Sequence, residues 1–144
     1  MGVRLAHVCF ESDDLDKTEA FYNILGIERR FEFRNLQDEL VGYYLAFDNQ
    51  TYIEVIKTAK LAKPGLIRHF AIEVDSVDDV YDALKSNGID VTEKELAGDR
   101  NWMITCHDPS GIFIELQEYT DRSMQIVGGR CEVDYRPNQG GRPT

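Results

Sequence analysis

Apolar and polar residues follow a strand pattern at the start of the chain and a helical pattern directly afterwards. Residues 3–11 (VRLAHVCFE) are rich in apolar and β-branched side chains, which predicts a strand. Apolar side chains then recur at helical spacing over residues 15–25, where Asp13 and Asp14 are suited to cap the helix and Gly26 to end it. Three more strands are predicted after this helix, at 27–34, 40–48 and 51–58.

The same order of elements returns in the second half of the chain. Residues 66–74 (LIRHFAIEV) predict a strand, Ser76 is suited to cap a second helix, and Gly88 to end it. Gly26 and Gly88 are 62 positions apart, and this spacing, together with the repeated order of elements, indicates that the two halves are copies of one unit. The remaining strands are predicted near 89–95, 101–107 and 112–119.

These patterns predict two tandem βαβββ modules, at 1–62 and 63–120, in an α+β fold. The segment Lys63-Pro64-Gly65 is the predicted linker between them. From about Asp121 the pattern fades into a stretch rich in Gly, Pro and Arg. A segment with so few large apolar side chains buries little surface, so residues 121–144 are expected to form a flexible tail.

The charge of the chain excludes several classes of partner. The 144 residues include 16 Lys and Arg against 26 Asp and Glu, a formal net charge of −10. Because binding to nucleic acid or an anionic membrane needs clustered basic residues, neither is an expected partner. No apolar run is long enough to span a bilayer, and no signal-peptide pattern opens the sequence. Three irregularly spaced cysteines are typical of reduced thiols, so a cytoplasmic protein is expected.

Two chemically useful residues return at almost the same interval in the repeat. His7 is followed 62 positions later by His69, and Glu54 is followed 61 positions later by Glu115. Each Glu lies in an otherwise apolar strand, where a carboxylate is costly to desolvate unless it is paired or bound to a cation. Two imidazoles and two carboxylates suit zinc, nickel, iron or manganese. His107 has no repeat partner and is expected to be solvated or to support another residue.

Strand parity places further residues beside these candidates. Cys9 and Glu11 share the face of His7, and Glu73 shares the face of His69, because alternate strand residues point the same way. Glu11 and Glu73 either line the pocket or lie in solvent beyond its rim. Cys9 is expected to be a small apolar filler rather than a ligand. Four aromatic residues could wall the pocket: Tyr43, Tyr44, Trp102 and Phe113.

Three segments of this sequence resemble the vicinal oxygen chelate superfamily, which includes glyoxalase I, extradiol dioxygenases and bleomycin-binding proteins. The segments are His7 followed by DLDKTEAFYNILGI, RHFAIEVDSVDDVYDALKSNGI around His69, and DPSGIFIEL ending at Glu115. The resemblance covers residues 3–119. It implies a curved, eight-stranded mixed sheet around a metal-binding cavity, and a homodimer.

The resemblance also implies a site and a reaction. The metal ligands would be His7, Glu54, His69 and Glu115, a set most like that of bacterial glyoxalase I. Such a site would act as a lyase or isomerase on a small α-hydroxycarbonyl substrate through a metal-stabilised enediolate, with Glu115 as the base and Glu54 as its counterpart. The alternatives are a ring-cleaving dioxygenase or thiol transferase of the same superfamily, or a non-catalytic binding or resistance protein.

Three positions depart from the glyoxalase I pattern. Glu11 stands where glyoxalase I usually has an Arg that holds a glutathione carboxylate, Thr58 stands where an Asn is usual, and Arg68 precedes the second His where Gly is usual. An acid at position 11 would repel the glutathione carboxylate instead of pairing with it. The expected substrate is therefore not the glutathione hemithioacetal.

Overall fold

The computed structural model describes residues 5–62, 67 and 69–131, and the predicted βαβββ order is present in both halves. The first half contains β1 (His7–Ser12), α1 (Leu15–Ile24), β2 (Glu28–Arg34), β3 (Leu40–Ala46) and β4 (Tyr52–Lys57). The second half contains β5 (Phe70–Glu73), α2 (Val77–Ser86), β6 (Glu95–Leu96), β7 (Trp102–His107) and β8 (Phe113–Glu118). A short helix, α3 (Met124–Val127), follows.

The eight strands form two four-stranded mixed sheets, in the orders β1-β4-β3-β2 and β5-β8-β7-β6. In each sheet the first strand of the module runs parallel to the last, β1 with β4 and β5 with β8. The chain divides into two compact units. One spans Met1–Arg68 and His107–Ile112, and the other spans His69–Cys106 and Phe113–Thr144. The segment 107–112, which begins at the last residue of β7 and leads to β8, thus groups with the first unit.

Both helices begin and end where the sequence predicts. The Asp14 side chain accepts from the Lys17 amide at 3.1 Å, and the Ser76 hydroxyl accepts from the Asp79 amide at 3.2 Å. Each bond satisfies one of the amides that the first turn of a helix leaves unpaired. Gly26 and Gly88 follow the helices with φ of 76° and 74°, a conformation that other residues rarely adopt.

Each sheet buries one face and leaves the other partly open. On the buried face of the first sheet, the Tyr43 hydroxyl donates to the Leu15 carbonyl at 2.7 Å, which ties β3 to the start of α1. Helix α1 contacts β2, and helix α2 contacts β8. The largest fully buried side chains are Tyr22, Tyr43, Leu45, Ile53 and Val55 in the first unit, and Val77, Leu84, Ile104, Ile114 and Leu116 in the second.

The strand predicted at 89–95 is largely absent. Only β6 at Glu95–Leu96 and one isolated bridge between Val91 and Cys106 are formed there. The Thr105 amide donates to the Thr92 hydroxyl at 2.8 Å, so a side chain takes a bond that a backbone carbonyl would accept in a regular ladder. The apolar residues Ile89 and Val91 indicated a strand, but the pattern could not reveal this competing hydroxyl.

Residues that follow β8 bond to the turn before β7, through the Met124 amide and the Cys131 thiol, and the flexible tail stays a prediction. Ser123 is fully buried, and the Met124 amide donates to the Asp99 carbonyl at 2.9 Å. The rest of the predicted tail, from residue 132 onward, lies outside the described residues, as does the predicted linker Lys63-Pro64-Gly65. None of the helices in the described ranges has both the length and the apolar character needed to cross a bilayer.

Candidate metal and substrate site

The first unit brings His7 and Glu54 together on the open face of its sheet. His7 lies at the start of β1, and Glu54 lies on the parallel neighbour β4, where its Cα partner is Cys9. Because alternate residues of a strand share a face, His7 and Cys9 point the same way as Glu54. His7 Nε2 lies 3.2 Å from Glu54 Oε2, and the two side chains are 41% and 19% exposed.

The second unit repeats this arrangement with His69 and Glu115. Glu115 lies on β8, where its Cα partner is Ala71 on the parallel strand β5. His69 Nε2 lies 3.5 Å from Glu115 Oε2, and the two side chains are 43% and 18% exposed. The match in geometry and exposure shows that the repeat seen in the sequence is also a repeat of local structure.

The two distances fit donor atoms that share one divalent ion. Imidazole nitrogen and carboxylate oxygen bind zinc at about 2.0–2.2 Å, so two donors on one tetrahedral ion stand about 3.3–3.6 Å apart. The measured separations of 3.2 and 3.5 Å are close to that range. Within the described residues, however, no three His, Cys, Asp or Glu side chains form a group that could hold a metal ion. Each unit supplies a pair of donors, and a site of four ligands stays a prediction.

The two carboxylates differ in the second contact that each one makes. Glu54 Oε2 accepts from the Tyr44 hydroxyl at 3.2 Å, whereas Glu115 Oε2 accepts from Gln117 Nε2 at 3.1 Å. Burial, followed by the nearby charge of Glu54, raises the pKa of Tyr44, so the phenol keeps its proton and remains a donor. Both of these bonds go to Oε2. Oε1 of Glu54 and of Glu115 accepts no hydrogen bond from a described side chain, so Oε1 of each carboxylate can bind a ligand.

An aromatic surface surrounds Tyr44 next to the first pair. The ring of Phe31 stacks on Tyr44 with centroids 4.4 Å apart, and the His7 ring lies 5.4 Å from Tyr44. Phe33 and Tyr52 each lie 5.7 Å from Tyr44. Phe31 is 46% exposed, so part of this surface faces solvent. We call this set of residues the aromatic surface: His7, Phe31, Phe33, Tyr44 and Tyr52.

A β-bulge in β2 creates the aromatic surface. Arg29 pairs with Leu45, but Phe31 pairs with Tyr44, so Arg30 is an extra residue that the ladder skips. The bulge places Arg29 and Phe31 on opposite faces, although regular alternation would place them on the same face. Phe31 and Phe33 were missed in the sequence because no residue pattern in β2 marks the bulge.

Only two of the four aromatic residues predicted to wall the pocket share a face with the paired residues. Tyr44 is the Cα partner of Glu54, and Phe113 lies two residues from Glu115 on β8, with its ring 6.4 Å from that of His69. Tyr43 and Trp102 point the other way. Tyr43 is fully buried, and Trp102 has the parity of the core residues of β7 and lies under the Lys94 ammonium, 4.8 Å from its ring centroid.

The other residues that strand parity placed on the open faces are Cys9, Glu11 and Glu73, and all three are exposed. Glu11 Oε2 accepts from the Ala62 amide at 2.8 Å, which holds its carboxylate against the chain that follows β4. Glu73 is exposed at the end of β5. Cys9 is exposed rather than buried as expected. Partial desolvation of its thiol, and then the charges of Glu54 and Glu11, raise the pKa of that thiol. A protonated thiol is a weak nucleophile and a weak ligand.

Two of the three remaining positions singled out in the sequence lie among the described residues. His107 is exposed at the end of β7. The Thr58 hydroxyl donates to the Lys60 carbonyl at 3.0 Å, so it is used within its own turn. Arg68 lies outside the described residues.

The family follows from a comparison of residues 4–116 with known protein families. Those residues match the model of the Glyoxalase/Bleomycin resistance protein/Dioxygenase superfamily. The chain belongs to this superfamily. The glyoxalase superfamily assignment agrees with the paired βαβββ modules and confirms the resemblance found in the sequence. No curated protein matches the chain closely enough to count as a relative.

Solved structures of other proteins share this superfamily fold. That of SMU.1112c has 24% sequence identity, covers 81% of this chain and 98% of its own, and gives a TM-score of 0.67. The bleomycin resistance determinant encoded on transposon Tn5 has 23% identity, the same two coverages and a TM-score of 0.62. The oxidase ChaP-H2 has 17% identity, covers 83% of this chain and 96% of its own, and gives a TM-score of 0.67. Identities this low establish the fold alone.

Proposed function

We propose that this member of the superfamily is a metal-dependent lyase or isomerase, similar to glyoxalase I, that acts on a small α-hydroxycarbonyl-type substrate. The observation that carries the proposal is the matched pair of His–Glu contacts, at 3.2 and 3.5 Å, in equivalent positions of the two units. The proposed ligands of one zinc, nickel, iron or manganese ion are His7, Glu54, His69 and Glu115.

The proposed reaction gives Glu115 the role of general base. A divalent ion, when bound, would supply positive charge to the two adjacent oxygens of the enediolate. Gln117 holds Oε2 of Glu115, and Oε1 has no hydrogen-bond partner among the described residues. Oε1 is therefore the atom that would take the proton from the substrate carbon and return it to the neighbouring carbon. Glu54, whose Oε1 is equally open, would be its counterpart on the opposite face of the substrate.

Glu11 supports a substrate other than a glutathione conjugate. Its side chain is on the same face as His7, and its carboxylate is held by the Ala62 amide. A negative charge fixed on this face would repel the carboxylates of glutathione, while it would tolerate a neutral or cationic substrate. Salt in the medium weakens this repulsion but leaves its sign unchanged.

A second candidate function is binding of a small molecule without turnover, and the aromatic surface favours it. Stacked rings that remain partly exposed beside a carboxylate suit a flat ligand, especially a cationic one. The fold shared with the Tn5 bleomycin resistance determinant is compatible with this alternative. The binding hypothesis predicts tight association with a flat molecule and no product.

Metal titration tests the proposed ligand set directly. Calorimetry with Ni²⁺ on chelator-treated protein should give one ion per chain. Glu54→Gln and Glu115→Gln should each weaken that one site by more than the ~10–100-fold typical of residues that only support a ligand. His107→Gln is the matched control and should bind Ni²⁺ like the wild type. Absence of uptake, or two independent sites each lost in one variant, would contradict the proposal.

Exchange of substrate hydrogen with solvent separates catalysis from binding. In D₂O, NMR should show deuterium entering the carbon next to the carbonyl of a small α-hydroxycarbonyl compound, and Glu115→Gln should abolish this. Methylglyoxal with glutathione should be a poor substrate, and robust turnover of that mixture would overturn the argument about Glu11. Tight binding of aromatic compounds with no exchange in any of them would favour the binding function.

We also propose that the protein is a homodimer in the cytoplasm, by analogy with small members of the superfamily. Light scattering during size-exclusion chromatography should give twice the 16.5 kDa mass of the chain. A monomer at micromolar concentration would argue against the dimer. A fluorescent fusion should be distributed through the cytoplasm.

A further inference from the structure

A chain of hydrogen bonds leads from Glu115 into the interior of the second unit. Gln117 Nε2 donates to Glu115 Oε2 at 3.1 Å, and Asn101 Nδ2 donates to Gln117 Oε1 at 3.3 Å. Asn101 Nδ2 also donates to Asp99 Oδ2 at 3.0 Å. Asn101 is fully buried and Gln117 nearly so, which shields their mutual bond from competing water. We call Asp99, Asn101 and Gln117 the amide relay.

The carboxylate of Asp99 fixes the direction of every bond in the relay. An ionised carboxylate can only accept, so the amide nitrogen of Asn101, not its oxygen, must face Asp99. The same nitrogen then donates to Gln117 Oε1, which leaves Gln117 Nε2 to face Glu115. The nitrogen and oxygen of an amide are often ambiguous, but here only one assignment satisfies the whole chain.

This orientation of the Asn101 amide leaves its oxygen, Oδ1, unpaired in the described part of the chain. It is buried and has no hydrogen-bond partner among the described residues. An unpaired buried acceptor destabilises the folded state, because burial removes the hydrogen bonds that it would make to water. Turning the amide of Asn101 over would place its oxygen against both Asp99 Oδ2 and Gln117 Oε1, which would break two bonds and create two repulsive contacts. The observed orientation is therefore favoured even though one acceptor stays unpaired.

We propose that Gln117 is a positioning residue for Glu115, oriented through Asn101 by the charge of Asp99. The inference rests on the proposed function, since it gives Glu115 a ligand and base whose Oε2 is held while Oε1 is left open. The first unit differs, because Glu54 accepts from the Tyr44 hydroxyl, whose hydrogen can turn about the C–O bond. The relay thus makes the two equivalent carboxylates unequal, with Glu115 held by a donor of fixed direction.

Replacing the amide of Gln117 tests its role without relying on turnover. Gln117→Met keeps the length of the side chain but removes the donor, and it should weaken Ni²⁺ binding by ~10–100-fold, the range for partners of metal ligands. Asn101→Leu should weaken it in the same direction but less, because Gln117 remains able to donate. Gln125→Met is the matched control. Gln125 Nε2 donates to the same Asp99 Oδ2, at 2.7 Å, and not to Gln117.

NMR of the side-chain amides tests the relay even if the protein binds no metal ion. The Gln117 amide signals, assigned by their loss in Gln117→Met, should be protected from solvent exchange in the metal-free wild type. Glu115→Ala and Asn101→Leu should shift them, while Gln125→Met should not. If the wild type takes up no ion, the proposed function fails and these shifts alone decide the relay. Unshifted Gln117 signals, or normal Ni²⁺ affinity in folded Gln117→Met, would overturn the relay.

Discussion

The ring of Phe31 lies nearly parallel to the ring of Tyr44, with centroids 4.4 Å apart and planes inclined by 19°. Tyr44 in turn donates its hydroxyl to Glu54, so one side chain joins an aromatic stack to a candidate metal ligand. A ligand that stacks on these rings would sit beside the carboxylate. The two properties of Tyr44, its ring and its hydroxyl, can be separated by mutation.

Removing only the hydroxyl of Tyr44 should have a smaller effect than removing its ring. Tyr44→Phe keeps the stack with Phe31 and loses one partly solvated hydrogen bond, so the free energy of unfolding should fall by less than about 1 kcal/mol. Tyr44→Leu loses contacts with four neighbouring rings and should lower it by about 1–3 kcal/mol. Urea denaturation measures both. Equal losses in the two variants would mean that the hydroxyl, not the ring, stabilises this face.

The bulge in β2 predicts unequal effects for two deletions in the same strand. Deletion of Arg30 should leave a folded protein, because Arg29 would still pair with Leu45 and Phe31 with Tyr44, without an extra residue between the two pairs. Deletion of Glu32 should be severely destabilising, because it moves Phe33 to the opposite face. Circular dichroism and thermal unfolding compare the two variants. A deletion of Arg30 as harmful as that of Glu32 would contradict this account of the bulge.

Gly42 should not tolerate a side chain. A Cβ at this position would clash with the Val55 carbonyl oxygen and stand 3.1 Å from Phe33 Cδ2. Since the clash is with backbone, relief requires β3 and β4 to shift, and Gly42→Ala should lower the free energy of unfolding by about 1–3 kcal/mol. Gly98→Ala is the control, because its nearest neighbour, Cys131 Sγ, lies at 3.9 Å. Similar urea midpoints for the two variants would refute the clash.

Asp108 should make stability depend on pH in the acid range. Burial raises the pKa of its carboxyl, against opposing bonds from the Ile112 amide and the Tyr22 hydroxyl. A raised pKa in the folded state means that the carboxyl favours folding below its unfolded-state pKa, and that this contribution is lost as pH rises through the folded value. Asn cannot ionise, so Asp108→Asn should remove that contribution.

The measurement is the difference in unfolding free energy between wild type and Asp108→Asn as a function of pH. The unfolding free energy of the wild type minus that of Asp108→Asn should decline as pH rises from the usual carboxyl pKa through the raised one. Above the raised pKa it should level off. The Asn oxygen can still accept from the Ser110 and Ile112 amides, which the carboxylate now binds at 2.9 Å each. A difference that increases with pH would show that the hydrogen bonds outweigh burial.

The amino-acid sequence alone was enough to predict the two modules and to single out one His and one Glu in each of them. Helix caps and terminating glycines act through neighbours a few residues away, so Asp14, Gly26, Ser76 and Gly88 could be predicted. Strand alternation likewise placed Cys9 and Glu11 on the same face of β1 as His7. The repeat related His7 to His69 and Glu54 to Glu115, because equivalent positions in equivalent folds meet the same neighbours.

Only the tertiary structure decided how these residues are held and what surrounds them. The ladder between β2 and β3 skips Arg30 and so turns Phe31 toward Tyr44, an effect of pairing that no local pattern reveals. The direction of the amide relay depends on Asp99, which lies in a turn distant in sequence from Glu115. Periodicity reports which face a side chain takes within its own element, whereas bulges and buried amide bonds depend on the partner that packing brings to that face.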